Sequence, residues 1–193
     1  MAQLFPAGTL RCVALSECSP EERARWLAEA ERIFFETTRA KSFASPAERR
    51  AFLDRWFGNY AGVQPGAFLF AIDPDGNAAG YLAGCIDSFS PASKAIVSAI
   101  DYFTPAFCAV LERYPSHFHI NVRPGLQGQG IGRMLTGEFL GMCARTGSPG
   151  VHVVTGAASR AVTFYESCGF TRVAPFPAAS AHHAVLVYAA VAP

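Results

Sequence analysis

The chain has 193 residues, 51% of them apolar and 16% charged, enough for a sizeable core and most simply one domain over residues 1–193. A net charge of +1 offers no basic surface for nucleic acid or an anionic membrane, so an acidic ligand would have to be gripped by local geometry. The longest apolar run, residues 184–192, is too short to span a bilayer. The six cysteines lack C-x-x-C spacing and read as reduced thiols of a cytoplasmic protein, and the opening Met-Ala-Gln-Leu-Phe-Pro is not expected to be a secretory signal.

Residues 11–15 read as a first strand. Ser19-Pro20-Glu21-Glu22 supplies an N-cap, a proline at N1 and a glutamate at N3, so a helix follows, with Trp26, Ala30, Ile33 and Phe34 on one face. Ser45-Pro46-Ala47-Glu48 repeats the device, and Phe52, Leu53, Trp56, Phe57 and Tyr60 form the next stripe, read as core. Residues 68–72 and 81–86 are strands around an Asp-Pro-Asp-Gly-Asn turn. Residues 89–115 exceed what a plain antiparallel step needs; they carry helical patterns over 92–101 and 105–114 and are expected to be an insertion over the acceptor site. A strand over 117–122 leads through a glycine loop to a helix over 131–144, with Ile131, Leu135, Phe139 and Met142 as its stripe. A strand over 151–154, a helix over 161–168 and strands near Phe170 and over 184–191 complete an α+β (mixed α/β) fold. Its sheet is largely antiparallel, with about seven strands.

The glycine loop carries the chemistry. In Gln127-Gly128-Gln129-Gly130-Ile131-Gly132-Arg133, glycines fall at every second position just before a helix. Main-chain N–H groups at a helix start lack partners within the helix, and the dipole there favours negative charge. A P-loop would need Gly-Lys-Ser/Thr, and Arg133 stands in place of the lysine. A dinucleotide loop would need G-x-G-x-x-G and an acid about 20 residues on; the spacing is wrong and residues 149–153 hold no acid. The remaining pattern, Gln/Arg-x-x-Gly-x-Gly/Ala, resembles the acetyl-CoA loop of the GNAT family of N-acetyltransferases. Residues 159–170, ending Phe164-Tyr165-Glu166-Ser167-Cys168-Gly169-Phe170, resemble that family's second hallmark. Here Ser159 is a fitting N-cap and Gly169 a fitting left-handed helix end. Over residues 68–175 the layout, including Asp73-Pro74-Asp75-Gly76, Gly80 to Asp87 and Gly147-Ser148-Pro149-Gly150, looks like the acetyltransferase-like C-terminal domain of O-GlcNAcase and its stand-alone bacterial relatives.

The resemblance implies the GNAT sheet, splayed between the strands at 117–122 and 151–154, and acetyl-CoA as cofactor. It implies cofactor contacts from Ile120, Asn121, Val122, Gln127, Gly128, Gln129, Gly130, Ile131, Gly132, Arg133 and Phe164. One departure stands out: many members have an asparagine three residues before the helix alanine, and this chain has Ala158.

Acetyl transfer to an amine needs a neutral amine, donors for the oxyanion and a proton for the departing thiolate. An alkylamine with a pKa near 10 is only about one part in a thousand neutral at pH 7, a penalty of about 4 kcal/mol, so a base or a water chain would help. Main-chain N–H groups around residues 120–122 can serve the oxyanion. By the family likeness Tyr165 is the general acid. No glutamate base is inherited, because the aligned positions are Ser116 and Phe118. Strand alternation puts His117, His119 and Asn121 on one face. His119 is then a candidate base, and Asp87 a candidate relay or ammonium-binding group. Asp101 and Tyr102 of the insertion are further candidates for the acceptor side. His117 and His119 have no third ligand at sensible spacing, so no metal is expected.

The sequence therefore reads as an acetyl-CoA-dependent N-acetyltransferase. Its acceptor is a primary amine on a small molecule or protein, without nucleic-acid or membrane partners, and it acts as a monomer or homodimer. The alternative is an acyl-CoA-binding or protein-interaction module; the intact glycines and Tyr165 argue against it.

Overall fold

The computed structural model describes residues 10–38, 40–173 and 183–189. Among these, seven strands form one mixed sheet, ordered β1-β2-β3-β4-β5-β7-β6. They are β1 (Arg11–Ala14), β2 (Phe68–Ile72), β3 (Ala78–Cys85), β4 (Ser116–Val122), β5 (Gly150–Gly156), β6 (Thr171–Arg172) and β7 (His183–Ala189). The flanking helices are α1 (Pro20–Thr37), α2 (Pro46–Leu53), α3 (Asn59–Val63), α4 (Lys94–Val97), α5 (Pro105–Leu111), α6 (Ile131–Arg145) and α7 (Arg160–Ser167). The β1–β2, β2–β3, β5–β7 and β6–β7 pairs are antiparallel. β4 and β5 run parallel, with Ser116 opposite Val151 and His117 opposite His152. A parallel step needs a crossover, and α6 provides it. The chain divides into two compact units, residues 1–84 with 119–139 and residues 85–118 with 140–193.

In the first unit, Ser19 caps α1 as its hydroxyl accepts from the Glu22 N–H, and the Glu22 carboxylate accepts from the Ser19 N–H. The predicted stripe of Trp26, Ala30, Ile33 and Phe34 is buried. β2 and β3 are buried along their whole length, which explains why their sequences run apolar without alternation. Gly84 allows the close approach of α6: a Cβ there would lie 2.2 Å from the Phe139 ring and 2.8 Å from the Ala67 carbonyl oxygen. The second aromatic stripe is broken by a π turn over Asp54–Gly58, where the Asn59 N–H reaches back to the Asp54 carbonyl. Leu53, Phe57 and Tyr60 are buried, whereas Phe52 and Trp56 are half-buried.

In the second unit, residues of the predicted insertion build core. Phe107 and Leu111 bury with Val185 and Val187, and Tyr102, Phe103 and Tyr114 pack against them. Helix α7 begins at Ser159, whose hydroxyl accepts from the Ala161 N–H. It ends before Gly169, whose φ of +91° is the expected left-handed conformation.

Several boundaries move. Leu15 leaves the first strand for a 3₁₀ turn, and β3 begins three residues earlier than expected, at Ala78. On α6 the buried stripe continues to Cys143, not Met142, because 135, 139 and 143 keep i, i+4 spacing. Residues 190–191 of the last predicted strand lie outside the described residues.

Candidate functional site

The glycine loop lies between β4 and α6, in the first unit. Arg123 fixes its entry. The Arg123 N–H donates to the Ala79 carbonyl at 2.9 Å, and the guanidinium donates to the Ala78 carbonyl and lies 3.7 Å from Glu29. Leu126 N–H then donates to Arg123 O at 3.0 Å, and the next main-chain bond runs from Met134 N–H to Gly130 O at 2.9 Å. Between them, among the described residues, the N–H groups of residues 127–132 have no main-chain acceptor. Gly128 and Gly130 have φ of +77° and +82°, and a Cβ at either would meet nothing within 4 Å. Unpaired donors, open space and the start of a fifteen-residue helix fit an anionic diphosphate. The Gln127 side chain is exposed and Gln129 is half-buried, its Oε1 inaccessible and without a partner. Arg133 is exposed, while Ile131 begins the buried stripe of α6.

Residues Ile120, Asn121 and Val122, half-buried at the end of β4, precede the loop. The Asn121 amide donates to the Tyr81 hydroxyl at 2.9 Å, and that hydroxyl lies 3.5 Å from His119 Nδ1. His119 also meets Trp56 and Phe34, with ring centroids 5.5 and 5.8 Å away. Burial pushes the His119 pKa down to about 4, so the imidazole is neutral at pH 7. Burial likewise raises the Tyr81 phenol well above its ordinary value.

Tyr165 belongs to the second unit. It is 7% exposed, and its ring packs against Phe118, Phe170 and Phe164 at 5.9, 5.7 and 5.2 Å. Among the described residues its hydroxyl has no hydrogen-bond partner. Burial, assisted by Cys168, holds its pKa above the ordinary phenol range, so the proton stays on the oxygen at pH 7. Tyr102 packs on Phe103, Phe107 and His152 at 5.0, 5.3 and 6.0 Å. Burial raises its phenol too, and the charges of Cys85 and then Tyr165 add to the effect. The second unit thus brings the buried Tyr165 phenol and the half-buried Tyr102 phenol within electrostatic reach of each other.

Asp87 is exposed just past the end of β3, with its carboxylate accepting from the Phe89 N–H at 2.9 Å. It lines an open cleft of about 500 Å³ with Phe89, Glu112, Pro115 and residues 146–149. Asp101 is exposed on the turn before Tyr102.

Sequence reasoning missed the partners of the histidines. His117 and His119 share a face, as alternation requires, yet they serve different neighbours. His117 Nδ1 meets the Ser88 hydroxyl at 2.7 Å and its ring meets His152 at 5.2 Å, whereas His119 meets Tyr81. The only hint in the sequence was that each histidine lies in an apolar strand. Among the described residues, no three His, Cys, Asp or Glu side chains converge to hold a metal ion.

Residues 67–172 match the acetyltransferase (GNAT) domain family, a stretch that holds both the glycine loop and the Phe-Tyr-Glu segment. Among solved structures the chain is similar to SsHAT, at 20% identity, TM-score 0.70, and 95% and 99% coverage of the two chains. It is similar to PH1933 of Pyrococcus horikoshii OT3, at 16% identity, TM-score 0.64, and 93% and 98% coverage. It is also similar to a phosphinothricin acetyltransferase of Sinorhizobium meliloti in complex with AcCoA, at 16% identity, TM-score 0.59, and 94% and 88% coverage. At these identities the structural likeness speaks for the fold.

Proposed function

Because the chain belongs to the GNAT acetyltransferase family, a family of acyl-CoA N-acyltransferases, we propose that it carries out acetyl-CoA-dependent N-acetylation of a primary amine on a small molecule or protein, by direct attack. The observation that carries this reading is the glycine loop, with its left-handed Gly128 and Gly130 and its unpaired N–H groups at the head of α6. Residues 127–133 would grip the diphosphate of the cofactor, with Ile120, Asn121, Val122 and Phe164 as further contacts. The bound cofactor supplies the activated acetyl group.

Tyr165 gives the proton. Burial keeps the phenol protonated at pH 7, so its O–H is available to hydrogen-bond the departing thiolate, and the proton released by the attacking amine makes up the one the thiol takes. Asp87 binds the acceptor's ammonium or relays its proton to water, with Asp101 and Tyr102 on the acceptor side, and His119, the candidate base by strand alternation, contacts the acceptor. None of the six cysteines, all among the described residues, is in a disulfide, in keeping with a reducing cytoplasm. The likeness to the C-terminal domain of O-GlcNAcase is a narrower reading that rests on the sequence patterns alone. We retain a single catalytic domain, acting as a monomer or homodimer, as part of the proposal.

The test is thiol release from acetyl-CoA across a panel of primary amines. Wild type should show amine-dependent release, and Tyr165→Phe should lower kcat by about a hundredfold or more with little change in thermal stability. If no amine stimulates release and the substitution changes nothing, the chain is a binding module and not an enzyme.

A further inference from the structure

We infer that His119 is held by Tyr81 and Asn121 as an Nε2–H hydrogen-bond donor toward the acceptor, and that it is not the general base. This goes beyond the acetyltransferase reading and rests on it for the identity of the group that His119 meets. The argument is one of donors and acceptors. Tyr81 is fully buried, and its hydroxyl has one proton to place. The Asn121 amide nitrogen already donates to that oxygen at 2.9 Å. The remaining contact is His119 Nδ1 at 3.5 Å, and among the described residues the hydroxyl has no other acceptor. A buried hydroxyl proton left without an acceptor costs about 1–3 kcal/mol, so the proton points at Nδ1. Nδ1 then accepts, and a neutral imidazole that accepts at Nδ1 carries its own hydrogen on Nε2.

The surroundings suit a donor. His119 is half-buried and sits in an aromatic frame of Phe34, Trp56 and Tyr81. The π turn at Asp54–Gly58 shapes this frame. One extra residue in the turn lets Phe57 bury against Phe68 and Tyr81 at 5.0 and 5.3 Å while Trp56 meets His119. Such turns recur at functional sites. The site would take an acceptor that presents a carbonyl, carboxylate or hydroxyl oxygen beside an apolar flank. Tyr81 and Asn121 are positioning residues.

Two measurements on the full chain decide it. In the first, two-bond ¹H–¹⁵N correlation spectra of the free protein at pH 7.5 should show His119 as the Nε2–H tautomer, and Tyr81→Phe should shift it to a mixture. An Nδ1–H tautomer in wild type overturns the inference, since it means that the Asn121 amide is turned over and Nε2 offers a lone pair. In the second, with the most active amine of the panel, His119→Ala should lose about tenfold or more in kcat/KM. His119→Gln, which keeps an N–H near the Nε2 position, should recover most of it. A glutamine variant as impaired as alanine, with the acidic limb of the pH profile abolished in both, identifies a base and overturns the inference. The spectra need no activity, so absence of amine-dependent thiol release would defeat the acetyltransferase reading separately from the tautomer result.

Discussion

His117 and His152 lie ring beside ring in the second unit, with centroids 5.2 Å apart, and neither has room for a charge. His152 is fully buried and donates from Nδ1 to the Tyr114 carbonyl at 2.6 Å, leaving Nε2 buried without a partner. Burial lowers its pKa to about 4. His117 is held well below the ordinary 6.5 by burial and by the neighbouring His152.

This pair predicts acid sensitivity. Both imidazoles titrate near 6.5 when unfolded, so from about pH 6.5 down to about pH 4 the unfolded chain binds the extra protons and stability falls. Above pH 6.5 the stability is fully present. For His152 alone the loss amounts to about 3 kcal/mol. Denaturant unfolding at pH 7.5, 5.5 and 4.5 should show the decline, and His152→Asn, which can keep the bond to Tyr114, should flatten it. An equal slope in wild type and variant would show that His152 does not contribute to it.

Gly130→Asp should abolish cofactor binding. The residue has φ of +82°, where a side chain costs about 1–2 kcal/mol, and a carboxylate there would repel a diphosphate. Calorimetric titration with coenzyme A should show affinity reduced by more than a hundredfold, with an unchanged circular dichroism spectrum. Wild-type affinity in the variant would place the ligand elsewhere.

Gly84→Ala should destabilise by about 1–3 kcal/mol, because the added methyl meets the Phe139 ring and the Ala67 carbonyl well inside contact distance. Combining it with Phe139→Leu should recover part of the loss in thermal unfolding. Additive losses in the double variant would mean that the ring is not the obstacle.

Phe107→Ala should cost about 3–5 kcal/mol, since the ring is 1% exposed and packs with Leu111, Val185 and Val187. A variant as stable as wild type by urea unfolding would show that the segment around residue 107 contributes no core.

Local features were legible in the sequence because they are set by neighbours a few residues apart. The caps at Ser19, Ser45 and Ser159, the turn at residues 73–77, the left-handed end at Gly169 and the glycine loop all depend on what one turn of chain can satisfy by itself. The acetyltransferase family followed from two such local patterns, and the match over residues 67–172 agrees. The tertiary structure alone decided which partners the histidines keep. Alternation could place His117, His119 and Asn121 on one face of β4, but a face is not a partner. Ser88, His152, Tyr81 and Trp56 arrive from distant segments, and burial among them sets each imidazole's charge and tautomer. The π turn that separates Trp56 from Phe57 was hidden for the same reason: a stripe of aromatics shows what will be buried, while the strands it meets decide where the helix must slip by one residue.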